Sequence, residues 1–163
     1  MEWTESLVLG LVPMDLTHQE FVEVYNDLAG ANQAGFLARL DAFIAHCQTH
    51  FDQENGWMAA VNFPGCHKGE HDRVLAVLHD VRKRVAAGDW FLGKRLVEEL
   101  PAWFENHAGG MDAALAFHLE SIGFDTATGR IEAVPDSAGG DSGKSGCACA
   151  VLSDEGAAHP RVC

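Results

Sequence analysis

The chain is predicted to be all-α: an antiparallel up-down-up-down four-helix bundle followed by a flexible C-terminal tail. Three observations predict this. Apolar residues recur at helical spacing almost throughout residues 1–132, with little period-2 alternation and no Asn-Gly or Asp-Gly hairpin signal between alternating runs. The breaks between these stretches are short, so each helix should turn back alongside the one before it. From residue 133 to residue 163 there is no aromatic residue and a large share of Gly, Ser, Ala and Asp, too little apolar surface to offset the entropy of ordering. Residues 1–132 are therefore expected to form the bundle with an extended N-terminal segment, and residues 133–163 the tail, which carries Cys147-Ala148-Cys149.

The first helix is expected from about Leu16 to Leu28, closed by Gly30, with Met14, His18, Phe21, Tyr25 and Leu28 along one face. The second runs from about Asn32 to Val61 and is stopped by Asn62 and Pro64. Its stripe reads Leu40, Phe43, Cys47, His50, Glu54, Trp57, Met58 and Val61. The third follows Pro64-Gly65 and closes at Gly88, with His67, His71, Val74, Leu78, Val81 and Val85 inward. The fourth spans about Asp89 to Ile122, with Leu92, Leu96, Leu100, Trp103, His107, Met111 and Leu115 inward; Pro101 interrupts it, removing a backbone donor and predicting a kink.

Charge narrows the function. The 163 residues hold 11 Lys and Arg against 24 Asp and Glu, a formal charge of -13 that repels nucleic acid and anionic membrane surfaces. No stretch approaches the roughly 18 to 20 apolar residues of a membrane helix, and the acidic start Met1-Glu2-Trp3-Thr4-Glu5 is no secretory signal, so no membrane insertion and a cytoplasmic location are expected. Five cysteines, an odd number without small-scaffold spacing, fit reduced thiols better than a disulfide framework.

The nine histidines are the informative count, because five of them fall on the inward stripes. Residues four apart share a helix face, so His50-xxx-Glu54 and His67-xxx-His71 each aim two donors at one point, and His18 and His107 enter from the other two helices. Asp112 lies five after His107, roughly 140° round an α-helix of 3.6 residues per turn. It converges either by addressing a different atom from the one His107 binds or by a deformation of the helix at Gly109-Gly110. Burying five imidazoles and two carboxylates without partners is costly, and metal coordination removes that cost. Seven donors exceed the four of one tetrahedral zinc, and this mix without thiolate suits iron or manganese. His46, four before His50, reads as flanking the set; His79, His118 and His159 have no partner at donor spacing.

The pattern resembles the hemerythrin domain family, most closely its single-domain bacterial members, the bacteriohemerythrins. The likeness covers roughly Trp3 to Ile122: Trp3-xxx-Leu7-xx-Gly10 leading into Met14-Asp15-Leu16-Thr17-His18, then His50-Phe51-Asp52-Gln53-Glu54, Phe63-Pro64 before His67-Lys68-Gly69-Glu70-His71, and Trp103-Phe104-Glu105-Asn106-His107 with Asp112. The resemblance implies a cofactor of two iron ions joined by an oxide or hydroxide bridge. It implies that His67, His71 and His107 hold one iron, His18 and His50 the other, and that Glu54 and Asp112 bridge them. It also implies reversible dioxygen binding for storage, delivery or sensing, in an apolar pocket with candidate walls Phe21, Tyr25, Phe51, Trp57, Met58 and Trp103. Partners would be dioxygen and an oxygen-using enzyme or a separate sensory protein, and the chain is expected to be a monomer and not an enzyme. The alternatives are a di-iron redox enzyme acting on peroxide or nitric oxide, or a metal-storage bundle. The Glu-x-x-His pairs of ferritin-like bundles do not occur.

Overall fold

A computed structural model describes residues 1–131 of the protein. Four long helices form the bundle: α1 (Val12–Ala29), α2 (Phe36–Ala60), α3 (Cys66–Ala86) and α4 (Trp90–His107). The α4 rod continues through a π-helical turn (Ala108–Asp112) into α5 (Ala113–Ser121), and a two-residue antiparallel hairpin, β1 (Phe124–Asp125) and β2 (Arg130–Ile131), follows. Each long helix packs on its predecessor, and α4 returns to touch α1. Among the described residues, no helix is long and apolar enough to cross a membrane.

The expected helices are all present, with different ends. α1 begins at Val12, four residues early, because Pro13 occupies the first turn, where its missing N–H costs nothing. Its start is held by Asp15, whose carboxylate accepts from the Leu9 and Gly10 amides at 2.7 and 3.1 Å. Gly10, at φ +82°, makes the left-handed step that folds the preceding segment, with its short 3-10 turn Glu5–Leu7, back against the bundle. α2 begins at Phe36 rather than Asn32, since the Asn32 side chain accepts from the Gly35 amide and closes a turn. The hairpin was not anticipated: its strands are too short for periodicity, and Asp125 organises the turn by accepting from the Ala127 amide and the Thr128 hydroxyl at 2.8 Å each.

Pro101 does not end α4. In a regular helix its N–H would reach the Val97 carbonyl; the Tyr25 hydroxyl donates to that oxygen instead, at 2.9 Å. A polar tip on α1 thus repairs the defect in α4, and the rest of the Tyr25 side chain is buried in the core.

The core runs in two parts. One is built on Phe21, Leu40, Phe43, Phe51, Leu78 and Phe104, and the smaller on Met14, Trp57, Met58, Leu115 and Leu119. At the far end of the bundle α4 comes close to its neighbours through Gly93, where a Cβ would stand 3.0 Å from the Phe36 ring and 3.1 Å from Val85. Gly93→Val should therefore destabilise the fold by about 1–3 kcal/mol through overpacking. A lower denaturant midpoint at unchanged slope would show it, and an unchanged midpoint would refute it.

Cys47 is a free thiol buried in the core, where burial pushes its pKa far up and leaves it unreactive. The expected tail, with Cys147, Cys149, Cys163 and His159, lies outside the described residues.

Candidate metal centre

All seven residues singled out in the sequence, His18, His50, Glu54, His67, His71, His107 and Asp112, meet in the interior, and none is more than 4% exposed. The i, i+4 pairs behave as helical geometry demands: His50 Nε2 lies 3.0 Å from Glu54 Oε1, and the His67 and His71 rings stand 4.5 Å apart on one face of α3.

The uncertain member was Asp112. The π turn places it: bonds in such a turn run from i to i+5 rather than i+4, so residues five apart share a face. Asp112 Oδ1 then lies 3.1 Å from His107 Nε2 and 3.0 Å from His67 Nε2, while Oδ2 lies 3.2 Å from His18 Nε2. Of the two routes left open by the spacing, the deformation of the helix at Gly109-Gly110 is the one seen. Gly109 and Gly110 meet no side chain or backbone where a Cβ would stand, so packing does not demand glycine there. Their flexibility lowers the cost of leaving α geometry.

The donors sort into two overlapping groups. Glu54, His67, His71, His107 and Asp112 bring one atom each within 4.8 Å of one another, and so do His18, His50, Glu54 and Asp112. Both carboxylates belong to both groups. The ring nitrogens crowd one another as well: His107 Nε2 is 3.3 Å from His67 Nε2 and 3.1 Å from His71 Nε2. Three imidazole nitrogens facing inward at that distance cannot all be satisfied by mutual hydrogen bonds, because each neutral ring offers one donor and one lone pair. Glu54 Oε2 and Asp112 Oδ1 are buried with no hydrogen bond of acceptable geometry, although imidazole nitrogens stand 3.0–3.5 Å away. Lone pairs converging without donors is what a cation would satisfy, so the residues present fit bound metal.

Outer contacts orient the rings. His18 Nδ1 donates to the Leu7 carbonyl at 3.4 Å and His71 Nδ1 to Asn55 Oδ1 at 3.1 Å, leaving each Nε2 lone pair for the interior. Asn55 and the Leu7 carbonyl carried no sequence signal: the first is polar beside a donor, and the second is backbone. Phe51 stacks on His71 at 4.1 Å, Trp103 on His107 at 4.9 Å, and Phe104 meets the His18 ring edge-on at 5.3 Å. Of the other expected pocket walls, Phe21 packs near His50, Tyr25 serves Val97, and Trp57 and Met58 belong to the smaller core. Phe104, missed because it neighbours Trp103 off the predicted stripe, is fully buried and stacks on Phe21 at 3.9 Å.

Electrostatics follow from burial against pairing. Burial disfavours charge on His18 and His107, but Asp112 beside each outweighs it and both pKa values rise. His71 goes the other way, burial prevailing over Glu54. Burial would raise both carboxyls, yet the surrounding imidazoles hold Asp112 well below the usual range and Glu54 below its own. His46, which burial pushes down to about 4, stands outside both donor groups, as expected. His79 is exposed, and His118 packs against Phe63.

The sequence is similar to known proteins of one family. The profile of the "Hemerythrin HHE cation binding domain" family matches residues 10–116. A protein named bacteriohemerythrin from Ralstonia nicotianae (strain ATCC BAA-1114 / GMI1000) is 46% identical over 127 residues, covering 77% of this chain and 93% of that protein. Another of that name from Stenotrophomonas maltophilia (strain R551-3) is 28% identical over 125 residues, 73% of this chain and 81% of its own. No solved structure matches the chain.

Proposed function

The chain belongs to the hemerythrin HHE cation binding domain family, and on that footing we propose that it is a non-haem di-iron protein that binds dioxygen reversibly, as a carrier, store or sensor rather than an enzyme. The observation that carries this reading is the sharing of Glu54 and Asp112 between two donor groups of unequal size. His67, His71 and His107 with both carboxylates would hold one iron, and His18 and His50 with the same carboxylates the other. The smaller group leaves its ion room for an exogenous ligand. An iron pair, when bound, supplies the electron exchange that makes dioxygen binding reversible.

The chain's own work is positioning and exclusion. Four antiparallel helices fix donors at helical spacing, so little rearrangement accompanies loading. Leu7 and Asn55 hold the outer nitrogens of His18 and His71. Phe21, Phe51 and Phe104, all fully buried, wall the donors with apolar surface and keep water from a reactive adduct. Trp103 covers His107 and is itself anchored by donating from Nε1 to Glu70 at 2.9 Å.

The test is anaerobic reduction of the iron-loaded protein, then exposure to air with optical spectra recorded. A visible band that appears with oxygen and vanishes on deoxygenation is expected. Irreversible bleaching with turnover of peroxide or nitric oxide would favour an enzyme, and a protein colourless in air would overturn both.

A further inference from the structure

His46 was set aside in the sequence as a neighbour of the donor set, but its placement gives it work. It lies one turn before His50 on α2, with its ring edge-on to the His50 ring at a centroid distance of 5.8 Å. Both line a cavity of about 310 Å³ between α1 and α2, together with Thr17, Glu20 and Gln53. Two buried ring nitrogens in this wall, His50 Nδ1 and His46 Nε2, meet no hydrogen-bond partner.

These two atoms are complementary. A metal on His50 Nε2 obliges the proton of the neutral ring to sit on Nδ1, which makes that atom a donor without an acceptor. His46 Nδ1 faces the Glu20 carboxylate, with Oε2 at 3.9 Å, which favours its proton on Nδ1 and leaves a buried lone pair on Nε2. His18 and His71 already have outer acceptors in Leu7 and Asn55; His50 has none, and neither do His67 and His107, which do not line this cavity. Buried waters typically bridge polar groups that have no other partner, and these two nitrogens are such a pair.

Resting on the di-iron reading, we propose that His46 is a positioning residue for His50: one water in the α1–α2 cavity accepts from His50 Nδ1–H and donates to His46 Nε2. His46 thereby fixes the His50 tautomer and raises the donor strength of its inner nitrogen, and it does so only for the smaller donor group.

Competition of the full chain with a chromophoric chelator for cobalt(II), used as a colourimetric substitute for iron(II), measures the two affinities separately. His46→Leu should weaken one of the two ions by ~10-fold or more and leave the other unchanged, as loss of an outer hydrogen bond to a ligand histidine does. His46→Gln, whose carboxamide oxygen can accept, should recover most of the loss. A merely structural role would weaken both ions alike or neither, and either result overturns the proposal, as does failure of Gln to do better than Leu. A wild-type chain that binds fewer than two ions would overturn the di-iron reading and this inference with it, an outcome distinct from two ions with no effect of His46.

Discussion

Asp112→Ala should take the protein from two bound metal ions per chain to essentially none. Asp112 is the group on which three helices converge, with His18, His67 and His107 nitrogens all within 3.2 Å of its oxygens. Its removal takes one donor from each of the two groups at once, leaving four in one and three in the other. The variant also strips the buried imidazoles of the carboxylate that neutralises them, so the metal-free protein should lose stability. Breaking a buried pair by removing one partner costs about 3–5 kcal/mol. Metal analysis after gel filtration checks the first effect and thermal unfolding of the apo protein the second. If the variant still holds two ions, Asp112 is not shared and the assignment of the centre is wrong. Glu54→Ala is expected to behave alike in loading, since Glu54 also belongs to both groups.

What the sequence allowed one to read here depended on periodicity. Donors on one helix at i, i+4 are fixed by the α-helix itself, so His50 with Glu54 and His67 with His71 could be paired without knowing how the helices pack. His18 and His107 could be placed on the same seam because their stripes are otherwise apolar. Asp112 could not, because its angle to His107 depends on the hydrogen-bonding pattern of the intervening turn, and two glycines show only that the pattern is free to change. Contacts through backbone or across helices were also hidden: the Leu7 carbonyl on His18, Asn55 on His71, and Tyr25 on the carbonyl left bare by Pro101 each join residues whose relation exists only once the bundle is assembled. Short elements escaped for another reason, as a two-residue strand has no period to detect.

The π turn leads to the second large effect, in which inserting and deleting a residue have opposite outcomes. A π turn is an α-helix with one extra residue: i and i+5 take the relation that i and i+4 have in the α form. Deleting Gly110 should let the segment relax to continuous α-helix, with His107 and the carboxylate now four apart and still on one face. The buried face of α5, Leu115, Ala116 and Leu119, would keep its direction. That variant should bind two ions and melt close to the wild type. Inserting one alanine after Gly110 instead turns everything downstream by roughly 100° about the helix axis. It swings the carboxylate away from His67 and His18 and rolls Leu115 and Leu119, both fully buried, toward solvent. Exposing two leucines costs about 3–6 kcal/mol at roughly 1.5–3 kcal/mol each, enough to threaten the fold as well as the centre. Metal stoichiometry and thermal unfolding of the two variants decide the matter. A deletion as damaging as the insertion would mean that the five-residue spacing has a role beyond register, and an insertion that still binds two ions would mean that the helix can absorb a further residue without moving Asp112.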